Sequence, residues 1–165
     1  MLRPSPEAGR LIAVDGARAA GKSTVVKDLA RDLPARFISV DDYVVQGLPL
    51  GTPYPDLVRV GELMMAIERG QGEDKAVLVE GICLLSVLAR LNLTASLFVY
   101  VMRVSAPGEA CDIDLFDDDV SEATLLAKIG PPLTAGASLD RELAGYHKRY
   151  RPHERADVVY ERQED

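Results

Sequence analysis

A short stretch near the start of the chain has the residue types that hold a phosphate group. Its nine residues, Gly16-Ala17-Arg18-Ala19-Ala20-Gly21-Lys22-Ser23-Thr24, fit the pattern G-x-x-x-x-G-K-[ST]. Glycines at both ends of the pattern allow backbone angles at which successive N–H groups turn toward one anion. We expect Lys22 to reach the β- and γ-phosphates of a nucleotide and the Ser23 hydroxyl to bind Mg²⁺. The stretch, which we call the phosphate loop, predicts a nucleotide site.

The segments on either side of the phosphate loop support this interpretation. The apolar run 11–14 precedes it, and the helix-compatible residues 25–30 follow it. A helix that begins near Lys22 adds free N–H groups and the positive end of its dipole to the anion site. The alternative is a glycine-rich turn before a helix, which would leave Lys22-Ser23-Thr24 as a coincidence.

Acidic residues follow two further predicted strands. Strand 36–40 leads directly into Asp41 and Asp42, and strand 76–79 ends at Glu80. Because ligands of open parallel sheets lie at the carboxyl ends of the strands, these acids are expected beside the phosphate loop. Phosphoryl transfer needs Mg²⁺ and a group that accepts a proton, and Asp41 and Glu80 are candidates for both tasks. The alternatives are a turn cap for Asp41 and Asp42 and a solvated strand end for Glu80.

The remaining elements predict one α/β domain over residues 1–165. Strands are expected at 10–15, 36–40, 76–79, 96–102 and 156–160. Helices are expected from the phosphate loop to about Asp32, from Asp56 to Gly70, within 82–91, at 124–129 and at 139–150. Strands that alternate with helices favour an α/β fold around a five-stranded parallel sheet. Together with the phosphate loop, this leads us to expect the three-layer α/β/α P-loop NTPase fold. Residues 1–9 are expected to form a flexible lead-in.

Composition narrows the classes of partner. The 165 residues carry a net charge of −7, and 47% of them are hydrophobic. No run approaches the roughly 20 apolar residues of a membrane span, and two cysteines do not indicate an oxidising compartment. We therefore expect a cytoplasmic protein without a membrane partner. Six acids and no base lie between Glu109 and Asp119, and an acidic chain without a basic stripe does not favour nucleic-acid binding.

Three segments together resemble a known family. The phosphate loop preceded by Asp15, the segment Ile38-Ser39-Val40-Asp41-Asp42-Tyr43 and the segment Val77-Leu78-Val79-Glu80-Gly81 occur in the order and spacing of the uridine kinase-like group, which includes the nicotinamide riboside kinases. The resemblance covers roughly residues 10–103 and returns weakly near residues 146–159. It implies ATP and Mg²⁺ as cofactors and a small-molecule phosphoryl acceptor.

The resemblance also implies roles for individual residues. Asp41 would be the catalytic base and help to organise Mg²⁺, and Glu80 would belong to the same metal and substrate site. Asp42 and Tyr43 would lie on the substrate side of that site. Tyr54 and Asp56 resemble an aromatic-then-acid pair that would face the ribose, the alternative being that Asp56 caps a helix.

The region 104–140 departs from the family, because the arginine-bearing lid expected there is replaced by the acidic segment 109–119. Acids would repel a triphosphate, so this segment is not expected to close over the phosphates. The available cations are Arg103, Arg141, Lys148, Arg149 and Arg151. Arg141 is the first choice, since Asp140-Arg141-Glu142 opens a predicted helix. The alternative for the basic residues from 148 onward is a solvated face, and His147 and His153 are expected on the surface.

These observations favour a Mg-ATP-dependent kinase that phosphorylates a hydroxyl of a small metabolite, such as a nucleoside or riboside. A GTPase is excluded, because its Asn-Lys-x-Asp motif is absent: the single asparagine, Asn92, precedes Leu93. A nucleotide-binding module that has lost catalysis, and uses ATP for stability or regulation, remains the alternative. The missing lid arginines favour that module, and the intact Asp41 and Glu80 favour the kinase.

Overall fold

Five parallel strands form the centre of the protein. The structure is a computed structural model that describes residues 9–73 and 75–163, so most of the expected lead-in lies outside the described residues. The strands are β1 (Leu11–Gly16), β2 (Ala35–Ser39), β3 (Ala76–Glu80), β4 (Leu97–Val104) and β5 (Val158–Gln163). They form one sheet in the order β2-β3-β1-β4-β5, and every neighbouring pair is parallel. The predicted five-stranded parallel sheet is confirmed.

Helices connect the strands on both faces of the sheet. They are α1 (Lys22–Asp32), α2 (Tyr54–Leu57), α3 (Val60–Gly72), α4 (Leu84–Arg90), α5 (Ile113–Phe116), α6 (Glu122–Ile129), α7 (Ala135–Tyr150) and α8 (Pro152–Arg155). A 3-10 turn, Val40–Tyr43, follows β2. In the described part of the chain, no helix has both the length and the apolar character that a membrane span requires.

Two helix boundaries differ from the predictions for local reasons. The helix expected from Asp56 begins two residues earlier as the single turn α2 and restarts as α3 at Val60. Helix α7 begins at Ala135 rather than at residue 139, because the Thr134 side chain accepts a hydrogen bond from the Ala137 N–H at 3.1 Å. This N-cap satisfies a backbone donor that the first turn would otherwise leave unpaired.

The continuous apolar run of β1 reflects burial on both faces of the sheet. Leu11 and Ala13 belong to a core cluster shared with α3, α4 and α7, whereas Ile12 and Val14 belong to a second cluster with α1. Successive side chains of a strand point to opposite faces, so a central strand between two helical layers needs apolar residues at every position. This packing gives the predicted three-layer α/β/α arrangement.

Sheet order brings the polar strand ends together. Strand β1 lies between β3 and β4, and β3 lies between β1 and β2. In this register Val14 pairs with Glu80, and Glu80 also pairs with Ser39. Because the strands are parallel, the residues after β1, β2 and β3 share one edge of the sheet. The phosphate loop, Asp41 and Glu80 therefore lie at the same edge.

Candidate functional site

The two glycines of the phosphate loop occupy positions that a side chain would not fit. Gly21 has φ +90°, in the left-handed region, and is the residue that precedes α1. A Cβ atom at Gly16 would lie 2.6 Å from the backbone carbonyl oxygen of Val101 in β4. The loop therefore packs closely against β4 and turns sharply into α1, which leaves backbone N–H groups at the helix start for an anion.

Lys22 lies folded over this loop. Its Nζ donates to the carbonyl oxygens of Gly16 at 3.1 Å and Ala17 at 2.8 Å, and the residue is 8% exposed. Burial lowers the pKa of Lys22, while the carboxylates of Asp15, Glu80 and Asp41 act in the opposite direction. The ammonium group is thus held beside the loop by weak carbonyl contacts that a phosphate oxygen would replace with stronger, charge-assisted ones.

Ser23, Ser39 and Glu80 form a second polar cluster at the sheet edge. Glu80 Oε1 accepts from the Ser39 hydroxyl at 2.8 Å and from the Ser23 hydroxyl at 3.2 Å, and Glu80 is 5% exposed. Among the described residues, no group of three or more His, Cys, Asp or Glu side chains is arranged to hold a metal. Mg²⁺ does not require one, because it is usually held by one or two carboxylates with substrate phosphates and waters. The Ser23 hydroxyl beside a buried carboxylate is a hard oxygen donor set that fits Mg²⁺.

Asp41 lies in the 3-10 turn after β2 and contacts Tyr54 of α2. The Tyr54 hydroxyl donates to Asp41 Oδ1 at 3.1 Å, and Tyr54 is buried. Burial raises the pKa of Tyr54, and the Asp41 charge raises it further, so the phenol stays protonated and remains a donor. One oxygen of Asp41 is thus held by Tyr54, which fixes the orientation of the carboxylate.

A cavity of about 590 Å³ joins the phosphate loop to Asp41. Arg18 and Lys22 lie at its loop end, Asp41 and Tyr54 line its wall, and the segment 44–52 with the start of α7 encloses it. Segment and helix are joined where the Gly51 N–H donates to Ser138 Oγ at 2.8 Å. Much of its lining is apolar, including Val44, Leu48, Leu50, Leu57, Ile82 and Leu139. This volume suits a small molecule.

Three of the residues predicted on the substrate side lie outside this cavity lining. Asp42 is exposed, and its carbonyl accepts from Arg59 at 2.8 Å. The Arg59 guanidinium also lies over the Tyr43 ring, with Cζ 5.9 Å from the ring centroid, and Tyr43 packs against the core. Asp56 neither caps a helix nor lines the cavity, because its carboxylate pairs with Arg90 of α4 at 2.9 Å. Of the four predicted substrate residues, the structure brings only Tyr54 to Asp41.

Arg141, the predicted lid cation, is engaged elsewhere. Its guanidinium donates to the carbonyl oxygens of Leu126 at 3.0 Å and of Gly130, at the C-terminal end of α6. The Leu126 carbonyl also accepts from the Gly130 N–H at 3.0 Å, so Arg141 adds a charged donor to the last turn of α6 and complements the helix dipole there. It is not among the residues that line the cavity. In this structure Arg141 therefore lies outside the candidate site, away from the position that the lid prediction requires.

Basic residues of the neighbouring elements pair with three of the six acids in segment 109–119. Three ion pairs hold the segment, and the Lys148 ammonium donates to the Asp117 carbonyl oxygen. The pairs are Arg103 with Asp112 at 3.5 Å, Lys128 with Asp114 at 2.7 Å and Arg151 with Asp118 at 2.8 Å. The sequence predicts Lys148 and Arg151 on a solvated face or in a lid. In the structure they bind this segment to the C-terminal end of α7.

An aromatic cluster anchors the same segment and contains both histidines. Phe116 of α5 meets Tyr100, His147 and His153 edge to face, with ring centroids 4.8–6.1 Å apart. His147 is 1% exposed: its Nδ1–H donates to the Leu143 carbonyl oxygen, so Nε2 accepts from the Tyr100 hydroxyl at 2.7 Å. Burial lowers the pKa of His147 to about 4. The expectation that His147 lies on the surface was wrong.

Asp15 lies near the end of β1 and links this strand to α4 and α7 beneath the phosphate loop. Its fully buried carboxylate accepts from the Gly16 N–H at 2.7 Å, from the Leu84 N–H at 3.3 Å and from the Tyr146 hydroxyl of α7. Burial raises its pKa to about 6, although these donors and Lys22 act in the opposite direction. The sequence signal for this role is an acid inside an otherwise apolar strand.

Two arginines near the phosphate loop have roles that the sequence did not predict: Arg18 was predicted only as part of the nucleotide-binding loop, and Arg162 was not predicted in the site. Arg18 belongs to the loop, lines the cavity and pairs with Asp140 of α7 at 3.0 Å, with both side chains about half exposed. Arg162 of β5 lies over Gly21, where a Cβ atom would come within 2.5 Å of its guanidinium. Arg18 is visible in the motif, but no sequence signal identifies Arg162, because sheet order alone brings β5 to this end of the molecule.

Comparisons with known proteins add distant structural similarity. No family model and no curated protein matches the chain. A deoxyadenosine kinase from M. mycoides with bound dATP is 12% identical with a TM-score of 0.36, over 94% of this chain and 90% of that one. TT1252 from Thermus thermophilus is 15% identical with a TM-score of 0.41, over 94% and 90%. An uncharacterized protein from Eubacterium ventriosum ATCC 27560 is 12% identical with a TM-score of 0.40, over 93% and 88%. What the site can do follows from this chain's own residues.

Proposed function

We propose that the protein is a Mg-ATP-dependent phosphotransferase of the uridine kinase-like type, which moves the γ-phosphate of ATP to a hydroxyl of a small molecule. One observation carries the proposal: Lys22 of the phosphate loop and the carboxylate of Asp41 line the same cavity. A donor phosphate bound at the loop and an acceptor hydroxyl bound at Asp41 would therefore meet inside it. Phosphoryl transfer requires this juxtaposition more than any covalent chemistry by the protein.

The donor half of the site consists of the phosphate loop and the Ser23–Glu80 pair. Backbone N–H groups of the loop bind the phosphates, and Lys22 exchanges its carbonyl contacts for phosphate oxygens. Ser23 and Glu80 would hold Mg²⁺, which neutralises charge on the phosphates when it is bound. Asp41 is a further candidate metal ligand, because its carboxylate lies at the same sheet edge.

Asp41 handles the proton of the acceptor. Tyr54 holds Oδ1, so the second oxygen is available to accept the hydroxyl proton. As the acceptor oxygen bonds to the γ-phosphorus, the bond from that phosphorus to the bridging oxygen breaks and ADP leaves with the electron pair. The proton passes to Asp41 and from there to solvent.

Arg18 is the cation that we assign to the charge of the transition state, in place of Arg141. It lies in the cavity wall next to Lys22, and Asp140 holds its guanidinium from α7. Because both side chains of this pair are about half exposed, the pair is weak enough to yield to a phosphate, which binds a guanidinium more strongly than a screened carboxylate does.

The test is phosphate transfer from ATP by the Asp41→Asn variant. We expect turnover to fall by about a hundredfold to ten-thousandfold, because the general base is lost, with ATP affinity within about threefold of the unchanged protein. Asp42→Asn is the matched control, because Asp42 is the next residue in the chain and its exposed carboxylate lies outside the cavity lining. Equal turnover by the unchanged protein and Asp41→Asn would refute the role of Asp41.

A second candidate function is a nucleotide-binding module without turnover. The feature that favours it is the acidic segment, which ion pairs and Phe116 fasten where the resemblance calls for a mobile arginine-bearing lid. This alternative predicts ATP binding that raises the melting temperature, no transfer to any hydroxyl compound, and no effect of Asp41→Asn on either measurement.

A further inference from the structure

The charges of the cavity are distributed unevenly along its length. Both of its cations, Arg18 and Lys22, belong to the phosphate loop at one end. Away from the loop, the charged groups in the described lining are carboxylates: Asp41 and Glu142. An acceptor that carried a phosphate or carboxylate would thus meet no cation beyond the donor site, and it would be repelled by the wall.

Glu142 makes no contact among the described residues that would explain a structural role for its carboxylate. It lies on α7 and lines the cavity, yet among the described residues no cation comes within ion-pair distance of its carboxylate and no N–H or O–H group donates to it. The nearest arginines along α7 and the loop are committed, Arg141 to the end of α6 and Arg18 to Asp140. A half-buried carboxylate beside apolar side chains is costly unless something pairs with it.

The rest of the wall does not suit a polar, base-stacking acceptor. Among the described residues that line the cavity, the one aromatic side chain is Tyr54, and its hydroxyl is bound to Asp41. Most of the remainder is aliphatic, including Leu48, Leu50 and Leu139. Its uncharged polar side chains are Gln46, Thr52 and Ser138, of which Thr52 already donates to the Pro49 carbonyl oxygen and Ser138 accepts from the Gly51 N–H. Aliphatic walls reward an apolar ligand body through burial and offer few partners for the hydroxyl groups of a sugar.

We infer that the phosphoryl acceptor is an amino alcohol with an apolar body. Its hydroxyl is placed at Asp41, its hydrocarbon part lies against the aliphatic wall, and its protonated amine pairs with Glu142. The inference rests on the proposed function for the transfer step, but the binding preference follows from the cavity alone. It narrows the acceptor from any small hydroxyl compound to one that carries a positive charge and no negative charge.

A matched series of acceptors separates these possibilities. L-Phenylalaninol carries the amine, and N-acetyl-L-phenylalaninol has the same body without the charge. In 2-benzyl-3-hydroxypropanoic acid a carboxylate replaces the amine and the hydroxyl keeps its position. Uridine represents the polar nucleosides. Binding of each compound to the protein with Mg-ADP is measured by calorimetry, and transfer from Mg-ATP is measured separately. We expect the amine to bind and react best, the neutral compound to follow, and the acid to be excluded.

Variants at residue 142 test whether this carboxylate causes the preference. Glu142→Gln should weaken binding of L-phenylalaninol by about tenfold to a hundredfold, the usual contribution of a hydrogen bond to a charged group. It should leave N-acetyl-L-phenylalaninol within about threefold. Glu142→Lys should invert the order and favour 2-benzyl-3-hydroxypropanoic acid. Glu68→Gln, an exposed change on α3, is the matched control.

The outcomes distinguish the inference from the proposed function. Calorimetric preference for the amine without any phosphate transfer supports the amine site and refutes the kinase. Transfer to uridine but not to the amine supports the kinase and overturns the inference. A preference for the amine that Glu142→Gln leaves unchanged also overturns it, because another group would then hold the charge. Binding of none of the four compounds overturns the inference as well.

Discussion

Asp15 makes the protein less stable as the pH rises, which can be measured directly. Its pKa is about 6 in the folded protein and about 3.8 in an exposed chain. Below pH 3.8 the Asp15 carboxyl is protonated in both the folded and the unfolded protein, so it does not change the free energy of unfolding. Above it the unfolded chain gives up the proton first, so the free energy of unfolding falls until the pH reaches about 6. The total loss is about 3 kcal/mol at about 1.4 kcal/mol per pH unit.

His147 has the opposite effect over nearly the same range. Its pKa is about 4 when folded and 6.5 when exposed, because the neutral ring is buried between Leu143 and Tyr100. The stabilisation is complete above pH 6.5 and is lost as the pH falls toward 4, by about 3 kcal/mol in total. The two slopes nearly cancel between pH 4 and 6. Burial also lowers the pKa of His153, which adds a smaller slope of the His147 sign to every variant.

Single substitutions should therefore expose slopes that the unchanged protein conceals. From pH 4 to 6, the free energy of unfolding should rise by about 3 kcal/mol in Asp15→Asn and fall by about 3 kcal/mol in His147→Gln. The double variant should return to a shallow profile. The assay is urea unfolding at half-unit pH steps, with the free energy extrapolated to water at each step.

The comparison uses slopes, so it does not depend on the constant cost of each substitution. Losing the contacts of Asp15 with Tyr146 and Leu84 lowers stability at every pH and leaves the slope unaffected. The reasoning is refuted if both single variants keep the shallow profile of the unchanged protein, or if their slopes have the same sign. Shallow profiles would mean that these groups titrate at their ordinary pKa values, and slopes of the same sign would mean that one pKa shifts in the other direction.

Two further predictions concern the phosphate loop. Arg18→Ala should lower the rate of phosphate transfer from ATP by about a hundredfold to a thousandfold. The Kd for ATP, measured by calorimetry, should stay within about threefold. A change in Kd without a change in the transfer rate would assign Arg18 to ATP binding rather than to the transition state. Gly21→Ala should cost about 1–3 kcal/mol of stability, because its φ of +90° strains an alanine, and its Cβ would displace Arg162. Urea unfolding measures this cost, which Gly72→Ala on α3 should not show, since nothing lies within 4 Å of its Cβ position.

The elements that the sequence predicts well are those whose signal is local. The run Leu11–Val14 indicates burial on both faces, and the motif after it carries its own geometry, so β1, the loop and α1 form as expected. Ser121 likewise caps α6 by accepting from the Thr124 N–H at 3.1 Å. In each case the residues that determine the structure lie within a few positions of one another, so hydrophobic periodicity and N-cap patterns predict the element from the sequence.

The errors arise where a distant partner decides what a side chain does. Arg141 looked like a lid residue because it opens a predicted helix, but the last carbonyls of α6 bind its guanidinium. His147 looked like a surface residue, yet α7 turns it toward Tyr100, 47 positions away in the chain. Asp56 was predicted to face the ribose, with a helix cap as the alternative, but its carboxylate pairs with Arg90. Sequence spacing carries no information about such contacts before the helices are packed.

The acidic segment shows how pairing changes an electrostatic expectation. As an unpaired run, residues 109–119 would repel a triphosphate at the sheet edge. In the structure Asp112, Asp114 and Asp118 are each matched by a cation from β4, α6 or the end of α7, so the field that reaches the phosphate loop is weaker than the sequence implies. The cations that face the loop are Lys22 and Arg18 from within it and Arg162 from β5. These cations would compensate the charge of a bound triphosphate from the sheet edge, so the proposed transfer would not depend on the arginine-bearing lid that the family resemblance implies.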